Sequence, residues 1–245
     1  MPRHFANLSA STIVTPSLVN AQTELRTVIN GNGIGIFWGD PGTGKDFAVA
    51  HGREQLGITE PSWIRLRFAH APTEGEICSK LLTALSGDEP AGTRHCGKRL
   101  DEVADIQQQK HQAIIVEEAQ HWARVGFGVL RQIYDQSEEA FPLLLIGSED
   151  FPAKLARFGC LDRRAIGRQH FKNLSRADVL EHLPGYHPLY RDAKPEVIAM
   201  VNQALCRGRL GYWAAFTHKA LICAKNRTSL TLPFAQELLR GQRAS

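Results

Sequence analysis

The chain has 245 residues, of which 43% are hydrophobic, 8% aromatic and 22% charged, with 21 Gly and 12 Pro. These values fit a globular protein with a substantial buried core and exclude collagen-like, disordered and disulfide-scaffold classes; no apolar run approaches the roughly 20 residues that a membrane helix needs. The formal net charge of +4 is a mild positive bias, which permits a polyanionic partner such as nucleic acid without requiring one.

Helices and short apolar strands alternate through the first two thirds of the chain. After a loose N-terminal arm, apolar residues at helical spacing predict a helix at 18–29, and an apolar run between glycines predicts a buried strand at 34–38. The same criteria predict further strands at 63–68, 113–116, 142–146 and 169–172, and further helices at 47–54, 73–85, 100–109 and 127–137.

This alternation predicts an α/β fold in which a parallel sheet is covered by helices on both faces. After about residue 175 the pattern changes to helices alone, at 176–183, 195–206, 211–225 and 233–240. We therefore predict three parts, which are an arm at 1–17, an α/β core at 18–175 and a small all-helical domain at 176–245.

The segment Gly39-Asp-Pro-Gly-Thr-Gly-Lys45 lies between a predicted strand and a predicted helix and matches the phosphate-binding P-loop. Glycines allow successive N–H groups to turn toward a phosphate, the helix dipole favours an anion there, and Lys45 supplies a positive charge. The next residue is Asp46 where a Ser or Thr normally coordinates Mg²⁺; a carboxylate can bind this ion directly or through water. The candidate nucleotide-binding residues are Gly39, Asp40, Pro41, Gly42, Thr43, Gly44, Lys45, Asp46 and Phe47.

Two acidic residues, Glu117 and Glu118, follow the apolar strand at 113–116. Ligands bind at the carboxyl ends of the strands in open α/β sheets, so this position suits a second part of a nucleotide site. Glu117 is the candidate that orients the water shell of a metal ion together with Asp46, and Glu118 is the candidate that polarises the attacking water. The alternative is a strand end that happens to be acidic.

Two further polar groups follow the later strands. Ser148 comes after the strand at 142–146, where it would sense the terminal phosphate or cap the helix before Phe151. The segment Leu161-Asp-Arg-Arg-Ala-Ile-Gly-Arg168 places three arginines just before the last predicted core strand. One of them would reach the nucleotide of a neighbouring subunit, or all three belong to a basic surface helix; spacing does not choose among them.

The order of these motifs resembles the AAA+ ATPases and, within them, the transposition-regulator branch of MuB, TniB and TnsC-like proteins. ExeA-type secretion ATPases and origin-recognition ATPases are near relatives of that branch. The resemblance spans roughly residues 18–240. Its residues are the P-loop, Ile115-Val-Glu-Glu-Ala-Gln120, Leu145-Ile-Gly-Ser148, Arg164 followed by Phe171 and Leu174, and Leu230-Thr-Leu-Pro-Phe-Ala-Gln-Glu-Leu238.

The resemblance implies a homo-oligomer, as a ring or a filament on double-stranded DNA, that holds ATP and Mg²⁺ between subunits and acts on a transposase or another transposition protein. It aligns Arg164 with the arginine that reaches a neighbour's nucleotide. It also places Gly211 where the lid domain normally has an arginine, with Arg209 two residues earlier.

Implied contacts with DNA are electrostatic and largely independent of sequence. The candidates fall in two groups, one on the strand at 63–68 and one on an expected loop before the helix at 100–109. The alternative for each residue is a solvated surface charge. These candidates are Arg65, Arg67, Arg94, Lys98 and Arg99.

Two other functions remain open at this point. The chain could be an oligomeric scaffold that binds nucleotide with little or no hydrolysis, or an ExeA-like or loader-type AAA+ ATPase. A small-molecule P-loop kinase is disfavoured, because the chain has a helical C-terminal domain and arginines before the last strand instead of an obvious substrate-covering lid inside the core. The five cysteines include no Cys-x-x-Cys pair, and the first residues have no apolar signal region. We therefore expect free thiols and a cytoplasmic location, with no membrane partner.

Overall fold

The computed structural model describes residues 8–57, 63–87, 96–159, 161–224 and 228–243. Its strands are β1 (Ile34–Gly39), β2 (Trp63–Leu66), β3 (Ala113–Val116), β4 (Leu143–Gly147) and β5 (Ala165–Phe171). Its helices are α1 (Pro16–Asn30), α2 (Lys45–Gln55), α3 (Glu74–Ser86), α4 (Cys96–Lys110), α5 (Arg124–Gln136), α6 (Phe151–Ala156), α7 (Arg176–Tyr186), α8 (Pro188–Arg191), α9 (Pro195–Val201), α10 (Leu210–Cys223) and α11 (Leu232–Arg243). Short 3-10 segments cover Ala119–His121 and Asp162–Arg164, and a π-helical segment covers Asn202–Cys206.

The five strands form one sheet in the order β2-β3-β4-β1-β5. The pairs β1–β4, β3–β4 and β2–β3 are parallel, so the carboxyl ends of these strands lie at the same edge of the sheet. That edge is where open parallel sheets bind ligands, because the loops after the strands diverge there. The predicted α/β class with a helical C-terminal part is confirmed.

Every residue of β3 and β4 is buried, and β1 is buried except for a partly exposed Trp38. Strands covered on both faces lack the polar alternation of a half-exposed sheet. Around them lies one large apolar cluster, in which α3, α4 and α5 contribute residues such as Leu81, Leu100 and Leu130. A second apolar cluster, built around Trp213 and Phe216 of α10, belongs to the helices after residue 175.

The chain divides into two compact units. The first, which we call the sheet unit, is made of Val19–Gly39 and Ala48–His170. The second, the helical unit, contains the described residues of Met1–Leu18, Asp40–Phe47 and Phe171–Ser245. The P-loop residues after Gly39 therefore group with the C-terminal helices.

Two boundaries differ from the sequence-based prediction at functionally relevant places. Strand β5 begins at Ala165, so Arg168 lies within the strand and only Arg163 and Arg164 precede it. Helix α4 begins at Cys96, so Lys98 and Arg99 lie on a helix and not on the expected loop. Among the described residues, no helix combines the length and apolar character needed to span a bilayer.

Gly208 is the position in the helical unit where a side chain is least tolerable. Its φ of +74° is left-handed, and an added Cβ would lie 2.1 Å from the carbonyl oxygen of Leu174. The two backbones are also joined by a hydrogen bond of 2.9 Å from the Leu174 N–H to the Gly208 carbonyl.

We expect Gly208→Ala to destabilise the fold by about 2–5 kcal/mol, because backbone strain and a backbone clash add together. Urea unfolding followed by circular dichroism measures this change. The matched control is Gly185→Ala in α7, where an added Cβ meets nothing within 4 Å. That change should stabilise the helix by about 0.5–1 kcal/mol. Equal midpoints for the two variants would contradict the prediction.

Candidate nucleotide-binding site

The P-loop has the backbone conformation that an anion cradle requires. Gly42 and Gly44 have φ values of +82° and +100°, which L side chains rarely adopt. Alternation of such residues with right-handed ones turns successive N–H groups toward one point. The buried Thr43 holds the turn closed, because its hydroxyl donates to the Asp40 carbonyl at 2.8 Å.

Helix α2 begins directly at Lys45, so the positive end of its dipole lies at the loop. The Lys45 ammonium donates to the Asp40 carbonyl oxygen at 2.9 Å and is therefore held at the loop. Asp46 lies in the first turn of α2 and is exposed, as is Pro41, whereas Phe47 is partly buried. An exposed carboxylate at this position is available to a cation in solvent.

The start of α10 contacts the P-loop within the helical unit. The Gly211 N–H donates to the Gly42 carbonyl at 2.8 Å, and an added Cβ on Gly211 would lie 3.1 Å from the Gly42 Cα. The position where an arginine is expected is thus occupied by glycine because two backbones approach closely. The cation nearest in sequence, Arg209, forms an ion pair with Asp40, with Nη2 3.1 Å from Oδ2.

The Asp40 carboxylate has a second donor, since Asn173 Nδ2 lies 3.3 Å from the same oxygen. The Arg209 guanidinium also contacts Tyr212, through a 3.2 Å hydrogen bond to the hydroxyl and a 5.2 Å separation from the ring centroid. The hydrogen bond to Tyr212 and the charge of Asp40 raise the pKa of Arg209. Asn173 was not among the residues singled out from the sequence, because no motif marks it.

In the sheet unit, Glu117 continues from β3, and its N–H donates to the Leu66 carbonyl at 2.9 Å. Its carboxylate oxygen lies 3.2 Å from Arg65 Nη1, with side-chain exposures of 16% for Glu117 and 40% for Arg65. The structure therefore brings together two residues that the sequence assigned to different ligands, a metal ion and DNA. Each of them already has a partner of opposite charge.

Glu118 is exposed, and its backbone is left-handed with φ 53° and ψ 40°. Its carboxylate accepts a hydrogen bond of 2.5 Å from the side-chain amide of Gln120. The Gln120 amide oxygen in turn accepts the Ser148 N–H at 3.0 Å. Sequence reasoning did not select Gln120 for a role, although the run Glu-Glu-Ala-Gln contains it.

Ser148 is partly buried at the end of β4. Its carbonyl accepts the Phe151 N–H at 3.1 Å, and no side-chain capping bond closes the N-terminus of α6. The structure thus gives no capping role to the Ser148 hydroxyl. Its backbone instead joins the network of Glu118 and Gln120.

The three candidate arginines before and in β5 differ in their partners. Arg164 forms an ion pair with Asp135 and lies 3.8 Å from Glu139, and the hydrogen bond to Asp135 raises the pKa of Arg164. Arg168 pairs with Asp162 at 2.8 Å. Within the described part of the chain, no hydrogen bond or ion pair involves the exposed side chain of Arg163.

The other described DNA candidates lie in two places, with Arg67 just after β2 and Lys98 and Arg99 on α4. Arg67 and Lys98 are exposed, and Arg99 donates to the Ser79 hydroxyl at 2.9 Å. Arg94 lies outside the described residues. Nor do three His, Cys, Asp or Glu side chains come together as a metal site anywhere in the described ranges.

Residues 27–155, more than half of the chain, match the family model described as AAA domain. No curated protein matches this chain in sequence. Among solved structures, Cdc6p from Pyrobaculum aerophilum is 13% identical with a TM-score of 0.64, and the alignment covers 89% of this chain and 65% of that one.

Two proteins of Aeropyrum pernix are similar to the same degree. Its ORC1 protein, solved in complex with DNA, is 15% identical with a TM-score of 0.68 over 99% of this chain and 68% of that one. Its ORC2 protein, solved as ADPNP-ADP complexes, is 13% identical with a TM-score of 0.68, and the alignment covers 98% of this chain and 71% of that one. The chain thus spans about two thirds of the length of these proteins, and at such identities the similarity shows the fold.

Proposed function

This chain belongs to the AAA domain family, and we propose that it is an ATPase that regulates DNA transposition. In this proposal the chain assembles as a homo-oligomer on double-stranded DNA and recruits or activates a transposase. The nucleotide-binding part of the proposal rests on the P-loop, where left-handed Gly42 and Gly44 precede a helix that begins at Lys45. This arrangement suits a nucleoside triphosphate because N–H groups, helix dipole and ammonium all favour phosphate.

ATP is the proposed nucleotide, and the ADPNP-ADP complexes of the similar ORC2 protein support this choice. Mg²⁺ in such sites is bound by one or two carboxylates together with phosphate oxygens and water. Asp46 and Glu117 are the carboxylates proposed for that role. Glu117 would have to bind the ion while it is paired with Arg65 or after it has left that partner.

For hydrolysis, Glu118 is the proposed general base, and Ser148 is the proposed sensor of the terminal phosphate. Glu118 is exposed and its orientation is fixed by a hydrogen bond, two properties that a base acting on a water molecule needs. We propose that an arginine of a neighbouring subunit completes the site. Arg164 would have to leave Asp135 to do so, whereas Arg163 would not have to give up an ion pair.

Binding to DNA is proposed from the exposed Arg67 and Lys98, with support from the DNA complex of the similar ORC1 protein. Arg65 and Arg99 are weaker candidates, since each already has a protein partner. Contacts of this kind are made to the phosphate backbone and release counterions, so that binding weakens as salt rises.

We expect duplex DNA of arbitrary sequence to bind in the presence of ATP and to increase steady-state ATP hydrolysis. Because each phosphate contact contributes about −0.9 to the slope of log K against log salt, Arg67→Ala should reduce the size of that slope by about 1. Fluorescence anisotropy at several salt concentrations measures it. Arg191→Ala, an exposed arginine on α8, is the matched control. Binding that is undetectable or independent of salt would contradict the DNA proposal.

A loader-type AAA+ ATPase is the second candidate, and the structural similarity to Cdc6p and to the ORC proteins favours it. The reading frames next to the gene distinguish the two candidates. We expect a transposase there, and the purified transposase should be stimulated by this protein with ATP. A neighbouring replicative helicase, retained by this protein only with ATP, would favour the loader.

A further inference from the structure

We infer that Gln120 is a positioning residue that sets the orientation of the Glu118 carboxylate and connects it to the end of β4. The inference rests on the proposed function, because it gives Glu118 the role of general base. Gln120 ends the run Glu-Glu-Ala-Gln, but the sequence assigned it no role of its own. Its role follows from the hydrogen bonds around it.

The side chain of Gln120 contacts Glu118 directly. The Gln120 amide nitrogen donates to Glu118 Oε2 at 2.5 Å, and a hydrogen bond to an ionised acceptor is stronger than one between neutral groups. Glu118 is otherwise exposed, and its left-handed backbone turns the chain away from the direction of β3. A carboxylate at such a turn has several accessible rotamers, so a fixed donor selects one of them.

The orientation of the Gln120 amide is set by Ser148. The Ser148 N–H can only donate, and it lies 3.0 Å from the Gln120 amide oxygen. The oxygen of the amide therefore faces β4, and the NH₂ group must face Glu118. An amide is the side-chain group that can satisfy both neighbours at this length, because it has an acceptor and donors on the same carbon.

The backbone of Gln120 is also held in place by a hydrogen bond. Lys154 of α6 donates its ammonium to the Gln120 carbonyl oxygen. Ala119, directly before Gln120, and Trp122, two residues after it, are fully buried. Gln120 is consequently fixed at both its main chain and its side chain, and a displacement of the end of β4 would be transmitted to Glu118.

A purely structural role would make Gln120 a connector between β4 and the segment after β3, with Glu118 as a bystander. The two roles predict different kinetics. A connector should affect stability and nucleotide affinity as much as turnover, whereas a positioning residue should affect the chemical step alone.

The test is Gln120→Glu, which keeps the size of the side chain and an acceptor for Ser148 but replaces the donor toward Glu118 with a second negative charge. We expect kcat for ATP to fall by about 10-fold to 100-fold, since misplacement of a catalytic group by about 1 Å has effects of this size. The KM for ATP and the melting temperature should change little. The matched control is Gln136→Glu, because Gln136 also donates to a carboxylate, that of Asp101 at 3.3 Å on the surface.

A double-mutant cycle with Glu118→Gln, measured by single-turnover hydrolysis, makes the test specific. If Gln120 acts through Glu118, Gln120→Glu should have no further effect once Glu118 is a glutamine. Additive losses, or an unchanged kcat in the single variant, would overturn the inference while leaving the proposed ATPase intact. A wild-type protein that binds ATP without any hydrolysis would overturn the proposed hydrolysis and this inference together.

Discussion

Lys45→Ala is expected to weaken ATP binding by about 100-fold, the equivalent of about 3 kcal/mol for the loss of a charged hydrogen-bond donor to phosphate. In the structure the Lys45 ammonium lies at the cradle, 2.9 Å from the Asp40 carbonyl. Equilibrium dialysis or the anisotropy of a fluorescent ATP analogue measures the loss. Lys45→Arg should restore little, because a planar guanidinium does not replace a compact ammonium at this position.

The matched control is Lys110→Ala, since Lys110 likewise donates to a backbone carbonyl, that of Leu85, but lies outside the candidate site. This variant should bind ATP as the wild type does. If Lys45→Ala retained wild-type affinity, the P-loop would not be the nucleotide site, and every role proposed above for the acidic pair would lose its basis.

Glu118→Gln is expected to lower kcat by about 10²–10⁴-fold, the range attributed to a general base, and to leave ATP affinity nearly unchanged. The change is isosteric and removes the ability to accept a proton while the contact with Gln120 can persist. Single-turnover hydrolysis of radiolabelled ATP measures kcat, and binding is measured separately. The variant should consequently retain ATP and remain in the homo-oligomer that ATP is proposed to promote.

Glu181→Gln, on the exposed side of α7, provides the same chemical change far from any proposed role in catalysis. Its turnover should equal that of the wild type. Hydrolysis that survives in Glu118→Gln would assign the base elsewhere. ATP binding without hydrolysis in the wild type would favour the oligomeric scaffold, in which nucleotide only stabilises the assembly.

Asp46 and Glu117 also bear on whether ATP is hydrolysed, because both differ from the residues that usually surround the magnesium ion. The structure adds a third charge, since Arg65 pairs with Glu117 at 3.2 Å. Under the proposed function, Arg65 and a metal ion would compete for the Glu117 carboxylate, so the affinity for Mg²⁺ would depend on whether Arg65 can pair with another anion. DNA phosphate is such an anion under the proposed function.

The sequence predicted the central strands well because they are buried on both faces. All four residues of β3 and all five of β4 are buried, and such strands appear as uninterrupted apolar runs. The P-loop was equally clear, since its glycines are required by local backbone geometry and its lysine supplies the positive charge of the same short motif. Both features are formed by residues that are adjacent in the sequence, so the sequence alone is enough to predict them.

Strand β5 was predicted too short for a related reason. It lies at an edge of the sheet, and Gly167 and Gln169 occupy two of its buried positions. A strand whose buried face includes a glycine and a glutamine has no apolar alternation to recognise. The N-terminal turn of α4 was missed similarly, because Cys96, Gly97, Lys98 and Arg99 have no apolar periodicity.

The sequence by itself determined the fold class, the phosphate loop and the position of two acids after a buried strand. Only the tertiary structure decided which partner each charged side chain has. Asp40 and Arg209 are 169 residues apart, and Gln120 and Ser148 are 28 apart. Such pairs form because crossover connections return distant segments to neighbouring positions, and no local pattern records which side chains then lie within hydrogen-bond distance.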